Sequence, residues 1–272
     1  MNSIANYYNK NAEREWLRLV RDPYHSLEFM VTMYHLRKHL PSDGRILDAG
    51  GGPGRYSLAL CRAGYEVVLL DVSSELIAIA KDDFKSEPED VQNKILKFVV
   101  GDIRDLSRFE PNCFDGVLCL GGPLTEISDH EDRLKAMSEL VGVAKPGAIV
   151  CVSVMGYLAV LRTILTRFSD ELADPSFQTL VECGDILGNT GTPWHFFRAE
   201  ELRQLAESCG LITLEMAGCE GLSTGLAEAT NLLGQHEARW KVWQELVLKT
   251  STEPPVVDLT EHILYIGQVP SR

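Results

Sequence analysis

The stretch Arg45 to Ser57, RILDAGGGPGRYS, constrains this chain more than any other. A short apolar run, Ile46 and Leu47, closes at the carboxylate of Asp48, where a strand would end. Glycines follow at 50, 51, 52 and 54, and an apolar helix start runs from Tyr56 to Leu60. Glycines packed this densely suit a tight turn, because positive φ costs them nothing and a ligand can come close to the backbone. Strand, glycine turn and helix together make the opening unit of a nucleotide-type α/β site.

Downstream, strand-like and helix-like segments alternate. Glu66 to Leu70 reads as a second strand ending at Asp71, and Ser73 offers an N-cap for a helix through Ile77, Ala80 and Phe84. Ile95 to Val100 reads as a third strand, followed by Gly101 and Asp102. Phe114 to Leu120 is a fourth, followed by Gly121, Gly122 and Pro123. A helix from about Glu131 to Ala144 leads through Lys145-Pro146-Gly147 to a fifth strand, Ala148 to Val154. Continuous apolar strands in βα repeats imply a parallel sheet covered on both faces. Later segments predict helices at 157–168, 198–208 and 226–248, with Gly210 closing the second, and strands at 211–216 and 262–268. Ahead of the core, the pattern over residues 4–40 predicts two helices, broken at Pro23 and ended before Pro41.

The expected fold is therefore α/β, a doubly wound sheet with helical lid insertions. One domain spans residues 1–272, with its core at about 45–154, 195–217 and 260–269. Residues 1–44 form an N-terminal helical cap, and 155–194 and 218–259 form lid insertions.

Asp48, Asp71 and Asp102 each follow a strand, so a parallel sheet presents all three at its carboxyl edge, where open α/β folds bind ligands. Asp71 falls 21 positions after Gly50, near the spacing of about 20 at which an acidic residue meets ribose hydroxyls. A dinucleotide fingerprint would need glycine at position 55, which is arginine. Asp48 would also oppose a pyrophosphate on that turn. A ligand with ribose, adenine and a cationic centre suits three carboxylates better, and S-adenosylmethionine answers that description.

The segment DAGGGPG resembles the acidic-x-Gly-x-Gly-x-Gly loop of the Rossmann-like, class I S-adenosylmethionine-dependent methyltransferases of small-molecule type. The resemblance continues through LLDVSSELIAIA, GDIRDL, FDGVLCLGG, KPGAIVCVSV, HFFRAEELRQLAESCGL and HILYIG. It implies a seven-stranded, mostly parallel sheet whose last strand is antiparallel. It also implies that Gly50, Gly52 and Gly54 admit the methionine portion, with Asp48 holding the loop and the amino group. Asp71, with Val72 beside it, would take the ribose diol. Asp102 and Ile103 would face the adenine, and Leu120 with Gly121 would line the side of the reacting methyl.

The acceptor site is expected in the three extra pieces, gathered above the carboxyl edge, with Trp194, Trp240 and Trp243 contributing to a closed, partly apolar pocket for a small molecule. Tyr7, Tyr8, Tyr24 and His195 are the substrate or lid candidates. A general base is needed only if the acceptor must lose a proton. Tyr7, Tyr8, His25, Glu126, His130 and His195 are the candidates, and none is assigned.

A net charge of −13 argues against nucleic acid as a partner. Seven cysteines, odd in number and without a CxxC pair, read as reduced buried thiols, with no metal site expected. The polar N-terminus reads as neither signal peptide nor span, and no apolar run reaches the ~18 residues of a transmembrane helix, so a cytoplasmic protein is expected. Two rival functions remain, a methyltransferase acting on RNA or protein and a non-catalytic S-adenosylmethionine-binding partner protein. Oligomeric state and the acceptor atom are not written in the sequence.

Overall fold

The computed structural model describes residues 3–174, 176–187 and 191–271. Its core strands are β1 (Arg45–Ala49), β2 (Glu66–Asp71), β3 (Ile95–Val100), β4 (Phe114–Cys119) and β5 (Ala144–Met155). A short hairpin follows, β6 (Asp185–Leu187) and β7 (Pro193–His195), then β8 (Ile212–Gly218) and β9 (His262–Gln268). The main sheet has seven strands in the order β3-β2-β1-β4-β5-β9-β8. β1 to β5 pair in parallel, and β9 runs antiparallel between β5 and β8. The order reverses between β1 and β4, which opens a crevice at their carboxyl ends.

Helices cover both faces. They are α1 (Ser3–Leu17), α2 (Pro23–His39), α3 (Arg55–Arg62), α4 (Ser74–Lys85), α5 (Glu89–Gln92), α6 (His130–Val143), α7 (Tyr157–Arg167), α8 (Ser176–Cys183), α9 (Ala199–Ser208), α10 (Ala227–Leu233), α11 (Glu237–Thr250) and α12 (Pro254–Leu259). Because successive strand residues point to opposite faces, each core strand feeds two apolar layers. Leu47, Val117 and Val150 pack with Met137, Leu140 and Leu202 under α6 and α9. Ile46, Leu118 and Cys151 pack with Leu36, Leu40 and Leu60 under α2 and α3. Each such residue contributes ~1.5–3 kcal/mol on full burial.

The expected architecture holds, with local corrections. β5 begins four residues early, at Ala144, and takes the Lys145-Pro146-Gly147 turn into its pairing with β4. The helix expected over 226–248 is two helices broken at Gly234, where a Cβ would stand 2.3 Å from Pro23. The stretch before Trp194 holds α8 and the β6–β7 hairpin, whose strands are too short to carry a readable period. Residues 1–2, 175 and 188–190 of the expected caps lie outside the described residues. Cys183 is exposed and Cys113 and Cys209 are half-buried, so only four of the seven thiols are buried. No described helix is long and apolar enough to cross a membrane.

Candidate active site

The glycine turn forms one wall of a cleft at the carboxyl ends of β1, β2 and β4. Gly50 and Gly52 have φ of +76° and +56°, which L side chains rarely adopt. A Cβ on Gly50 would also stand 2.5 Å from Pro123, so this turn and the one after β4 meet closely. The turn is tied to β2. The backbone N–H groups of Gly50 and Gly51 donate to the Leu70 carbonyl at 2.7 and 3.2 Å. The N–H of Gly52 donates to Asp71 Oδ2 at 2.8 Å, and that of Ser73 to Asp71 Oδ1 at 2.8 Å. Asp71 therefore braces the turn while lining the cleft, and burial pushes its pKa up to about 6. With about four lone-pair sites on its two oxygens, it retains capacity to accept from a ligand hydroxyl.

Of the ten residues expected at a cofactor, Gly50, Gly52, Asp71, Val72, Asp102, Ile103, Leu120 and Gly121 line the cleft. Asp48 and Gly54 do not. Asp48 is fully buried beneath the turn, its Oδ2 accepting from Ser57 Oγ at 2.7 Å and its Oδ1 without a partner. Burial, with the nearby Asp71 charge, raises its pKa to about 6 against the Ser57 bond. It supports the turn rather than reaching a ligand. Gly54 caps α3 and packs on Leu69 and Ala80, where the chain turns from loop into helix. Asp102 accepts from Arg104, which bridges to Asp132 at 2.7 Å. Burial would raise the Asp102 carboxyl, and the Arg104 bonds outweigh it and hold it low.

The opposite contribution comes from α1 and the turn after it, as Ile4, Tyr8, Glu15, Arg18 and Leu19 also line the cleft. Helix α1 is docked at its middle and near its C-terminal end. Asn9 Oδ1 accepts from Ser73 Oγ at 2.6 Å, at the cap of α4. Arg55 donates to the Trp16 carbonyl at 2.7 Å and lies 3.9 Å over the indole. Arg18 is held on Glu28 of α2 by both terminal nitrogens. No local pattern in the sequence pointed to these contacts, because they join segments far apart in the chain.

Of the base candidates, Tyr8 and Glu126 meet in the cleft, the tyrosine hydroxyl donating to Glu126 Oε1. Glu126 ends a single 3₁₀ turn, Pro123–Glu126, and is 6% exposed. Burial pushes its pKa up to about 8, with Asp71 and Glu15 adding to the rise against the Tyr8 bond. Burial raises the Tyr8 hydroxyl as well.

The remaining candidates lie elsewhere. Tyr7 packs edge-on against Tyr8 with ring centres 5.2 Å apart. Tyr24 is buried where α2 meets the 218–259 insertion, its hydroxyl accepting from the Gly225 N–H at 3.3 Å. His195 is buried in β7 between Asp185, at 2.7 Å, and Glu201, at 2.6 Å, which uses both ring nitrogens to lock the hairpin onto α9. His25 is engaged by Asp22 at the start of α2, and His130 is the exposed first residue of α6. Trp240 and Trp243, with Val247 of the same helix, pack on Leu27 and Val31 of α2, and Trp194 stacks on Phe196. Among the described extra pieces, the N-terminal one reaches the cleft, and the other two pack beside the core.

Among the described residues, two side-chain clusters have metal-capable spacing, His35 with His39 and Glu215, and Glu28 with Glu220 and His262. Each carries its own internal cation. Lys38 sits 2.6 Å from Glu215, and Arg18 bonds Glu28.

Residues 47–152, from β1 to within β5, match a family model described as a methyltransferase domain. By sequence this segment is similar to a methyltransferase domain. Glycine/sarcosine N-methyltransferase of Aphanothece halophytica is 32% identical over 117 residues, 43% of this chain and 42% of that protein. Magnesium-protoporphyrin O-methyltransferase of Rhodobacter capsulatus is 33% identical over 115 residues, 38% of this chain and 50% of that protein. The chain thus spans about half or less of the length of these relatives. A SAM-dependent methyltransferase of Methanosarcina mazei shares the fold, with a TM-score of 0.62 over 88% of this chain and 98% of that one at 24% identity. The matched segment contributes the glycine turn, Asp71, Asp102 and Glu126, and α1 from outside it completes the cleft.

Proposed function

We propose that this chain is a methyltransferase that binds S-adenosylmethionine in the cleft and transfers its methyl group to a small-molecule acceptor. The observation that carries this reading is the joining of the glycine turn to Asp71 within a half-open, largely apolar cleft, a donor and acceptor set that fits a nucleoside with a cationic tail. Asp71 would accept from the ribose hydroxyls and Asp102 from the adenine amine. Ile103, Ile127, Val72 and Leu76 supply apolar surface for the ring, and the Gly50 to Gly52 backbone would admit the methionine portion. Bound there, S-adenosylmethionine supplies an electrophilic methyl on a sulfonium.

What remains for the protein is alignment and exclusion of water. Orientation can contribute ~7–11 kcal/mol when the reacting atoms are held in line. Tyr8, Ile4 and Leu19 on and after α1 would cover the cleft and keep solvent out. The relatives named above act, by their names, on small molecules, and the chain's net charge of −13 disfavours a polyanion. The test is calorimetry with S-adenosylmethionine, followed by incubation of the protein with the methyl-labelled cofactor and a metabolite extract. Micromolar binding and label in a small molecule are expected. Label in RNA or protein would overturn the acceptor class, and failure to bind would overturn the reading.

A further inference from the structure

Four carboxylates line the cleft, Glu15, Asp71, Asp102 and Glu126, beside three guanidinium groups, Arg18, Arg55 and Arg104. Every guanidinium is engaged. Arg18 is held by Glu28, Arg55 by the carbonyl and ring of Trp16, and Arg104 by Asp102 and Asp132. Two of the carboxylates are likewise held, Asp71 by backbone N–H groups and Asp102 by Arg104, and Glu15 lies 3.5 Å from Arg18. Glu126 differs. It is buried, its partner is the neutral hydroxyl of Tyr8, and no described cation is among the groups acting on it. A buried carboxylate without a cation is costly unless it meets a proton or a positive charge, and the cleft wall is where a ligand would bring one.

Resting on the methyltransferase reading, we propose that the acceptor is a small amine, bound as an ammonium by Glu126 and deprotonated by it, with Tyr8 as the positioning residue. The ammonium N–H gives its proton to Glu126, freeing the nitrogen lone pair. That lone pair forms the N–C bond as the C–S bond of the sulfonium breaks and its electron pair leaves with the neutral thioether. Attack by the neutral amine yields the methylated product directly as its ammonium, and the proton held on Glu126 passes to solvent before the next turnover. Charge favours this class over the others. A carboxylate or phosphate acceptor would set an anion against Glu126, whereas an ammonium neutralises it. A simple hydroxyl is too weak an acid for a carboxylate base. An alkylammonium, with an ordinary pKa near ~10, lies within about two units of a Glu126 raised to about 8. The groups facing Glu126 are Tyr8 and Glu15 from α1, Asp71 from β2 and the buried thiol of Cys119 from β4.

The experiment pairs small primary and secondary amines with their hydroxyl isosteres, using methyl-labelled S-adenosylmethionine and the full chain. Transfer is expected to amines and not to the alcohols. Glu126→Gln should lower kcat/KM for the amine by ~10²–10³-fold, with cofactor affinity by calorimetry changed less than about threefold, and Glu126→Asp should restore part of the rate. Tyr8→Phe should shift the pH profile of kcat/KM, which a merely structural tyrosine would leave in place. Cofactor binding without transfer to any amine, preferred transfer to hydroxyls, or full activity in Glu126→Gln would each overturn the proposal. Absence of cofactor binding would bring down the methyltransferase reading itself, and this inference with it.

Discussion

Asp71 and Glu126 do different work in the same cleft, and the difference is set by what each oxygen touches. Asp71 receives two backbone N–H groups, so it is fixed before any ligand arrives. Asp71→Ala removes both the brace on Gly52 and the acceptor for the ribose. Hydrogen bonds to a charged group contribute ~1.5–3 kcal/mol, so calorimetry should find S-adenosylmethionine affinity lower by one to two orders of magnitude. Undiminished affinity would remove the assignment. Glu126 holds its proton far above the ordinary carboxylate range, at about 8, because it is buried beside other acids. The folded state therefore binds a proton that the unfolded state has lost between about pH 4.5 and 8. Through that window stability falls as pH rises, by ~1.4 kcal/mol per unit at most. Urea unfolding of the ligand-free protein should show this slope, and Glu126→Gln should reduce it above about pH 6, where the raised Asp48 and Asp71 carboxyls no longer contribute. A sulfonium brought into the cleft lowers the same pKa by opposite charge, so binding of S-adenosylmethionine at pH 7.5 should release protons. Calorimetry in buffers of different ionisation enthalpy would detect the release, and an equal heat in all buffers would refute it. The aspartates at strand ends were legible in the sequence because each lies next to the strand that places it. The Tyr8–Glu126 contact spans 118 positions, and Glu126 stood in the sequence only as one base candidate among six.

The element that closes the cleft is α1, and its attachment was hidden for the same reason. Its fifteen residues carry no buried apolar stripe of the kind that packs α2 against the sheet, and they are held instead by Asn9 on the cap of α4 and by Arg55 on Trp16. Arg55 is also the residue that breaks the dinucleotide glycine pattern. In the structure Arg55 anchors α1 through Trp16, while Gly54 makes the turn into α3. Arg55→Ala should leave the core intact and loosen α1. Limited proteolysis should cut within residues 3–17 faster, and S-adenosylmethionine should dissociate about tenfold faster in stopped-flow measurements. Identical proteolysis in the variant would show that α1 is held by other contacts. The core elements themselves were readable because their signals are local: a Ser73 cap that accepts from the Leu76 N–H at 3.1 Å, a positive φ at Gly210, and apolar runs for buried strands. Short elements escaped. The three-residue strands of the β6–β7 hairpin depend on Asp185 and Glu201 gripping His195, a tertiary feature.

At the scale of the molecule, the sheet was legible as a whole and the placement of its insertions was not. Apolar runs in strands fix that both faces are covered, but an amphipathic helix in an insertion can find its apolar partner anywhere on the surface. The 218–259 insertion finds it on α2, where Leu27 and Val31 face Val247, Trp240 and Trp243, away from the cleft. Helix α2 is thereby packed on two sides, since Leu36 and Leu40 bury against the sheet. This insertion is a buttress for the layer that carries Glu28, and Glu28 in turn holds Arg18 at the cleft. Trp243 is the keystone of that contact, its indole Nε1 donating to Ser223 Oγ at 2.8 Å. Trp243→Ala removes a large half-buried ring and that bond, so a loss of ~2–3 kcal/mol in unfolding free energy is expected. If the insertion only buttresses, S-adenosylmethionine affinity and the preference among amine acceptors should stay within about twofold of the parent. A change in acceptor preference at unaltered stability would instead place the 218–259 insertion over the acceptor, as the sequence alone suggested.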